Sequence, residues 1–553
     1  MIKSLTATIG LLFASAATPA FADTLISNIN GMHIGTDGKI QRFGGLVIDD
    51  KGKVVQLIQR TDELDGPIEH EYDGGGKTLL PGLIDAHGHV MSLGFAALQL
   101  DLTGTTSIVD LQARLKAYAA ANPDARWILG RGWNQELWAE KRFPTAADLD
   151  AVVSDRPVWL GRVDGHAAIA NSAAMQAAGF ALNTQAPAGG RIENGLFVDA
   201  AMSLVEAKIP APTPAELDAA LAKAQELMLS SGLTAAADMG TSPEEWEAMN
   251  RAGQAGKLNT RILAYAGGMA GMRGINGGKP SAWLYADRLH LGGVKIYGDG
   301  ALGSRGAYLK LPYRDKPDTR GLQFLTDAQM LEQANAAASA GYQPAIHAIG
   351  DAANAQVIST YEKLAQQYPG DRRWRIEHFQ IADPADIPRL KPAGIIASMQ
   401  PTHQTSDRLM AEARLGQERL KGAYAWRTVE KLGIPIAFGS DFPVESPNPF
   451  PGLAAAVSRQ DMNGQPAGGW IPKERVSFEQ ALAGFTRGAA YAGFAEGKIG
   501  SLEPGKWADF IIVDRDVSLV DPQALARTQV LETWVAGIKV WEKAPNAGTE
   551  YGD

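Results

Sequence analysis

Leu83-Ile84-Asp85-Ala86-His87-Gly88-His89 is a short apolar run that ends on two histidines, and it decides the fold. Similar runs, each closing on polar residues or glycine, recur at 233–238, 261–265, 294–297, 344–347, 374–378, 395–399 and 434–438. Ala-rich stretches with helical spacing lie between them. Apolar runs of this length are strands buried on both faces, and their alternation with helices predicts a parallel sheet. Together with 83–87 they make eight, which fits an α/β fold closed as a (β/α)8 TIM barrel over about 81–495. In that architecture the active site lies at the carboxyl ends of the strands.

Working outward, the interval between the first two runs, about 95–230, is too long for one helical crossover and predicts an insertion with structure of its own. Both chain ends, 23–80 and 496–553, read as short strands, for example Gly45-Leu46-Val47-Ile48 and Asp509-Phe510-Ile511-Ile512-Val513. Each is too small to bury a core alone. They are expected to pair into one composite β-sandwich, with the barrel inserted between them.

The 553 residues are 45% hydrophobic and 20% charged, with a net charge of −9, a globular profile that excludes a general nucleic-acid binder. No cysteine occurs, which removes disulfides, thiolate nucleophiles and Cys-ligated metals. Lys3, the apolar stretch from Ile9 to Ala17 and Ala20-Phe21-Ala22 predict a signal peptide over 1–22, cleaved near Ala22, and a periplasmic or secreted protein. The alternative, a short membrane anchor, is weaker because the stretch falls short of the roughly 20 residues a span requires. No later segment resembles a membrane span.

Nine histidines occur, and four of them, His87, His89, His347 and His378, end proposed strands; Asp441 ends the eighth. Barrel strand ends converge on one mouth, and side chains two apart on a strand share a face, so His87 and His89 point the same way. Imidazole and carboxylate are ligands for zinc and similar divalent ions. A single histidine here would more often be structural; five groups at strand ends predict a metal centre.

Pro81-Gly82-Leu83-Ile84-Asp85-Ala86-His87-Gly88-His89 resembles the opening signature of the amidohydrolase superfamily. The chain is similar to the branch that includes N-substituted formamide deformylase, through Gly132-Trp133-Asn134, Asp164-Gly165-His166, Val294-Lys295-Ile296-Tyr297-Gly298-Asp299-Gly300, His347-Ala348-Ile349-Gly350-Asp351, Ile376-Glu377-His378, Ser398-Met399-Gln400-Pro401-Thr402-His403 and Gly439-Ser440-Asp441. The resemblance spans about 30–545. It implies that His87 and His89 bind one divalent ion and His347 and His378 a second, zinc being favoured. Lys295 would bridge them as an N-carboxylysine, and Asp441 would complete the site. The alternative for Lys295 is an ordinary salt-bridged lysine beside a mononuclear site.

Two such ions would activate a water that attacks an amide or formamide carbonyl, a non-peptide C–N bond in a small-molecule substrate. Asp441 would act as general base and proton donor to the amine. His166 and His403 are expected as donors or substrate contacts, and Asp299 and Arg305 as contacts for a polar substrate end or for the ligand shell. Trp133 and Trp138 would form an apolar wall. Each has a structural alternative: a loop histidine, an internal salt bridge for Arg305, aromatic packing inside the insertion. Esterase, lactonase or cyclic amidase chemistry on the same centre, or an inactive exported metal-binding protein, are the competing functions, and a homodimer is compatible with the sequence.

Overall fold

A computed structural model describes residues 23–59, 64, 68–162, 165, 167–180, 184–187, 190–199 and 201–544; the expected leader over 1–22 and His166 lie outside the described residues. Eight parallel strands form one sheet in chain order: β1 (Leu83–Gly88), β2 (Leu233–Thr241), β3 (Arg261–Gly267), β4 (Leu289–Tyr297), β5 (Gln343–Ala348), β6 (Arg375–His378), β7 (Ile396–Met399) and β8 (Ile436–Phe438). Every expected run falls on one of them. β4 begins at Leu289, ahead of the expected Val294, because Gly292-Gly293 breaks up its apolar pattern. A Cβ on Gly293 would fall 2.1 Å from the Tyr265 ring, so the glycine makes room for the aromatic on β3.

The sheet is a nearly closed TIM barrel, and its ends meet at the rim. Asp441 N donates to His87 O (2.7 Å) and His89 N to Phe442 O (2.8 Å). A Cβ on Gly439 would lie 2.4 Å from Asp85 Oδ1 and 2.6 Å from His87 N, so glycine is what lets the two strand ends approach.

Alternate residues along the strands sort into two packing clusters, as the period of two requires. Leu263, Tyr265, Ala345 and Ile396 pack together, whereas Ile262, Ala264, Ile346 and Ala397 pack with the helices through residues such as Met228 and Val357. The helices start where their sequences allow. Thr213-Pro214 with Glu216, Ser242-Pro243 with Glu245, and Thr326 with Gln329 all close capping boxes, each cap adding about 1 kcal/mol.

Between β1 and β2 stands a six-stranded sheet in the order Gly190–Glu193, Leu196–Asp199, Ala167–Ala170, Val158–Arg162, Ile128–Trp133, Leu100–Asp101. It has its own core around Leu111, Trp133, Trp138, Leu149 and Leu160. The chain ends form two further sheets. One has four strands: Val54–Ile58, Gly45–Ile48, Thr24–Ser27 and His70–Asp73. The other has six, drawn from both ends: Ile538–Glu542, Val530–Val535, Phe510–Val513, Thr78–Pro81, Asn30–Ile34 and Ile40–Phe43. Ile26, Leu46, Leu79, Phe510 and Trp534 share one core across the two sheets. Arg261 at the start of β3 ties the C-terminal segment to the barrel: its Nε and Nη2 reach Asp509 at 2.6 and 2.8 Å, with both side chains buried.

Candidate metal centre

His87 ends β1 fully buried. Its Nδ1 lies 2.6 Å from Glu377 Oε2, so the carboxylate accepts from Nδ1–H and leaves the Nε2 lone pair facing the mouth. Lys295 Nζ on β4 approaches that Nε2 at 3.0 Å. Glu377 is in turn held by Arg375, whose Nε donates to Oε1 at 2.6 Å and Nη2 to Oε2 at 3.0 Å. Arg375 is itself anchored on Ala86 O, Ser398 Oγ and Tyr265 OH.

Alternation along β6 puts Arg375 and Glu377 on one face and would send His378 to the other. The backbone of His378 takes φ +75°, and its ring instead stands 4.5 Å from that of His87 and 4.4 Å from that of His347, centroid to centroid. Asp441 likewise has φ +63°. Positive φ outside glycine is uncommon and gathers at functional sites. His378 Nδ1 is fixed by Gln400 Oε1 at 2.9 Å.

The Asp441 carboxylate sits at the centre of the imidazoles. Oδ1 lies 3.1 Å from His89 Nε2 and 3.5 Å from His87 Nε2, and Oδ2 lies 3.6 Å from His403 Nε2. One ligand atom each from His87, His378 and Asp441 falls within 4.8 Å of the others.

Burial, reinforced by the neighbouring Lys295 charge, holds the His347 imidazole down at about pKa 3. Burial likewise pushes His87 and His378 well below the ordinary histidine range, so all three are neutral, the form that binds a metal. Burial brings the Lys295 amine down to about 8. The residues fit divalent ions: Nε2 of His347 is buried without a hydrogen-bond partner, its nearest carboxylate oxygen being Asp299 Oδ1 at 3.4 Å. The donors are imidazole and carboxylate, as zinc prefers.

Several expected substrate contacts turn out otherwise. Asp299 is fully buried and accepts from the backbone N–H of Tyr308, Ile349 and Gly350 at 2.8, 3.0 and 2.8 Å. It is therefore closed to a substrate; it orders the loop that follows His347 and lies 3.4 Å from that imidazole's Nε2, beside the ligand shell. Arg305 pairs with Asp315 at 2.9 Å, the internal salt bridge. Trp133 is fully buried in the insertion's own core, donating Nε1–H to Leu160 O at 2.8 Å and packing on Trp138 and Phe143, so its ring is not a wall over the mouth. His403 does join the site: Gln380 lies 2.9 Å from its Nδ1, and its ring is parallel to that of His378. Glu377, Arg375 and Gln400 were not anticipated. A buried Arg-x-Glu just before a strand-end histidine was the one available signal.

A barrel with strand-end imidazoles grouped around a carboxylate defines a metal-dependent hydrolase of the amidohydrolase superfamily. Residues 70–540 match the model described as "Amidohydrolase family", and the chain belongs to that family. It is 33% identical over 98% of its length to Protein LONG AFTER FAR-RED 3 of Arabidopsis thaliana, covering 92% of that protein. It is 28% identical over 86% of its length to N-substituted formamide deformylase of Arthrobacter pascens, covering 91% of it. The crystal structure of an uncharacterized metal-dependent hydrolase from Pyrococcus furiosus superposes with a TM-score of 0.77 at 29% identity, over 91% of this chain and 100% of that one.

Proposed function

We propose that the chain hydrolyses a non-peptide C–N bond, an N-formyl or N-acyl amine, to a carboxylate and an amine. The observation that carries this reading is Asp441, whose two oxygens face His87, His89 and His403 at 3.5, 3.1 and 3.6 Å. Its similarity to a formamide deformylase supports the substrate class.

Divalent cations, when bound, would polarise the carbonyl and lower the pKa of the attacking water. His87, His89, His347, His378 and Asp441 would hold them. Asp441 takes the proton from the attacking water and delivers it to the departing nitrogen, so the amine leaves neutral, and the carboxylic acid formed with it gives its remaining proton to solvent. His403 Nε2–H donates to the oxygen on which negative charge develops. Glu377 and Gln400 keep His87 and His378 from rotating. Lys295 would become an N-carboxylysine: its free amine, the fraction that burial enlarges, adds carbon dioxide and releases a proton, giving a carboxylate that would serve as a further metal ligand.

The two sheets at the chain ends are read as one composite β-sandwich, supported by their shared core. Export is supported by the leader-like 1–22 and the absence of cysteine.

A screen of the protein against N-formyl amines, N-acyl amines, esters, lactones and cyclic amides, with metal analysis of the same sample, tests the reading. Turnover of the first two classes, lost on chelation and restored by zinc or manganese, is expected. Turnover of esters or lactones alone, or no turnover by metal-loaded protein, contradicts it.

A further inference from the structure

A line of buried polar side chains runs through the interior of the barrel from one end to the other. It begins at Gln343, the first residue of β5, at the end of the barrel away from His347 on the same strand. It finishes at His87 on β1, at the mouth. Gln343, Tyr265, Arg375, Glu377 and His87 are each at most 6% exposed.

Every link in the line has a fixed direction. Gln343 Nε2 meets two backbone carbonyls, Ala492 O at 2.9 Å and Arg373 O, so that atom is the amide donor and Oε1 the acceptor. Tyr265 OH therefore donates to Oε1 at 2.5 Å, which leaves its lone pairs for Arg375 Nη1 at 2.9 Å. A guanidinium can only donate, and Arg375 Nε and Nη2 reach Glu377 at 2.6 and 3.0 Å. Glu377 Oε2 in turn accepts from His87 Nδ1 at 2.6 Å, so the Nε2 lone pair is left for the mouth.

Packing alone does not call for the phenol. A phenylalanine ring would fill the same space, beside Gly293 and 5.0 Å from the Arg375 guanidinium carbon. A buried hydroxyl carries a desolvation cost that only its hydrogen bonds offset.

We propose that Tyr265 and Gln343 are positioning residues for the metal centre. They hold the Arg375 guanidinium in register with Glu377 and so set the tautomer and orientation of His87. The proposal rests on the reading of His87 as a metal ligand.

Zinc affinity of the full chain, measured in metal buffers for wild type, Tyr265→Phe, Glu377→Gln and the double variant, tests it. Tyr265→Phe keeps the ring and should bind zinc about three- to tenfold more weakly, the effect of one lost hydrogen bond. The double variant should bind no more weakly than Glu377→Gln, because without the carboxylate Tyr265 has no route to His87. Gln343→Leu leaves the ring in place and should act in the same direction, so it serves if Tyr265→Phe does not fold. A merely structural role lowers the melting temperature and leaves zinc affinity unchanged. That result, or additive losses in the double variant, would overturn the proposal.

NMR of the metal-free protein, labelled at its histidine nitrogens, gives a readout that needs no metal. A His87 Nδ1–H signal is expected in wild type, moved upfield in Tyr265→Phe. A His87 proton on Nε2, or a signal that Tyr265→Phe leaves in place, would also overturn the proposal. Wild type that shows the shift but binds no zinc would support the relay and contradict the metal-centre reading.

Discussion

Glu377 Oε2 and His87 Nδ1 lie 2.6 Å apart, both fully buried, although they stand at opposite sides of the sequence-ordered sheet. This contact across the barrel fixes the imidazole tautomer and turns the ring toward the mouth. Glu377→Gln is expected to leave the fold intact and to weaken metal binding by about 10- to 100-fold. Metal-buffered titration checks it; unchanged affinity would show that His87 is oriented by packing alone.

Asp441→Asn should fold and retain most of its metal while turnover falls by roughly 10²–10⁴-fold, the usual contribution of a positioned proton-transfer group. Steady-state kinetics on whichever amide the screen identifies, with metal content measured in parallel, decides it. A substantial retained rate would retire Asp441 as the base.

Lys295→Ala should lose one of two bound ions, with partial rescue of metal and turnover by added short carboxylic acids. Elemental analysis of mutant and wild type is the check. Equal metal content in both would refute the bridging role.

Removing one partner of the buried Arg261–Asp509 pair strands a charge between barrel and C-terminal segment. Asp509→Ala should cost about 3–5 kcal/mol in denaturant unfolding, well beyond the value of a surface pair. A cost below about 1 kcal/mol would mean that water reaches the guanidinium.

Glu503 links the C-terminal return to Arg487, the first residue of the helix Arg487–Ala492. Burial pushes its pKa up, but hydrogen bonds from Lys506, Arg487 and Ser501 outweigh this and hold it at about 2, against an ordinary 4.5. A depressed carboxylate contributes stability that is present above the unfolded pKa and is lost as pH falls through the folded one. Wild type should therefore lose this contribution between pH 4.5 and about 2, whereas Glu503→Gln, weaker by about 1–2 kcal/mol near neutrality, shows a flatter profile in that window. Parallel acid-unfolding profiles would contradict the assignment.

The barrel strands were legible because a buried parallel strand has a compositional signature that needs no partner to be seen. His87, His89, His347 and His378 were legible because strand ends share one mouth; the structure brings His87, His89 and His378 to Asp441 and sets His347 against His378. The supports were not. Glu377 sits next to His378, on a face that alternation assigns away from it, and only the positive φ of His378 reconciles the two. Arg305 and Trp133 looked functional because charge and aromaticity near a motif carry no record of their nearest neighbours. Asp315 and the insertion core, which claim them, are separate choices of the tertiary fold.

His87, His378 and Asp441 offer ligand atoms within 4.8 Å of one another, placed to grip a divalent cation. The most direct measurement is anomalous scattering at the zinc edge from crystals grown with zinc. Strong peaks within bonding distance of these three side chains are predicted. No peak there, in protein shown by melting to be folded, would contradict the account.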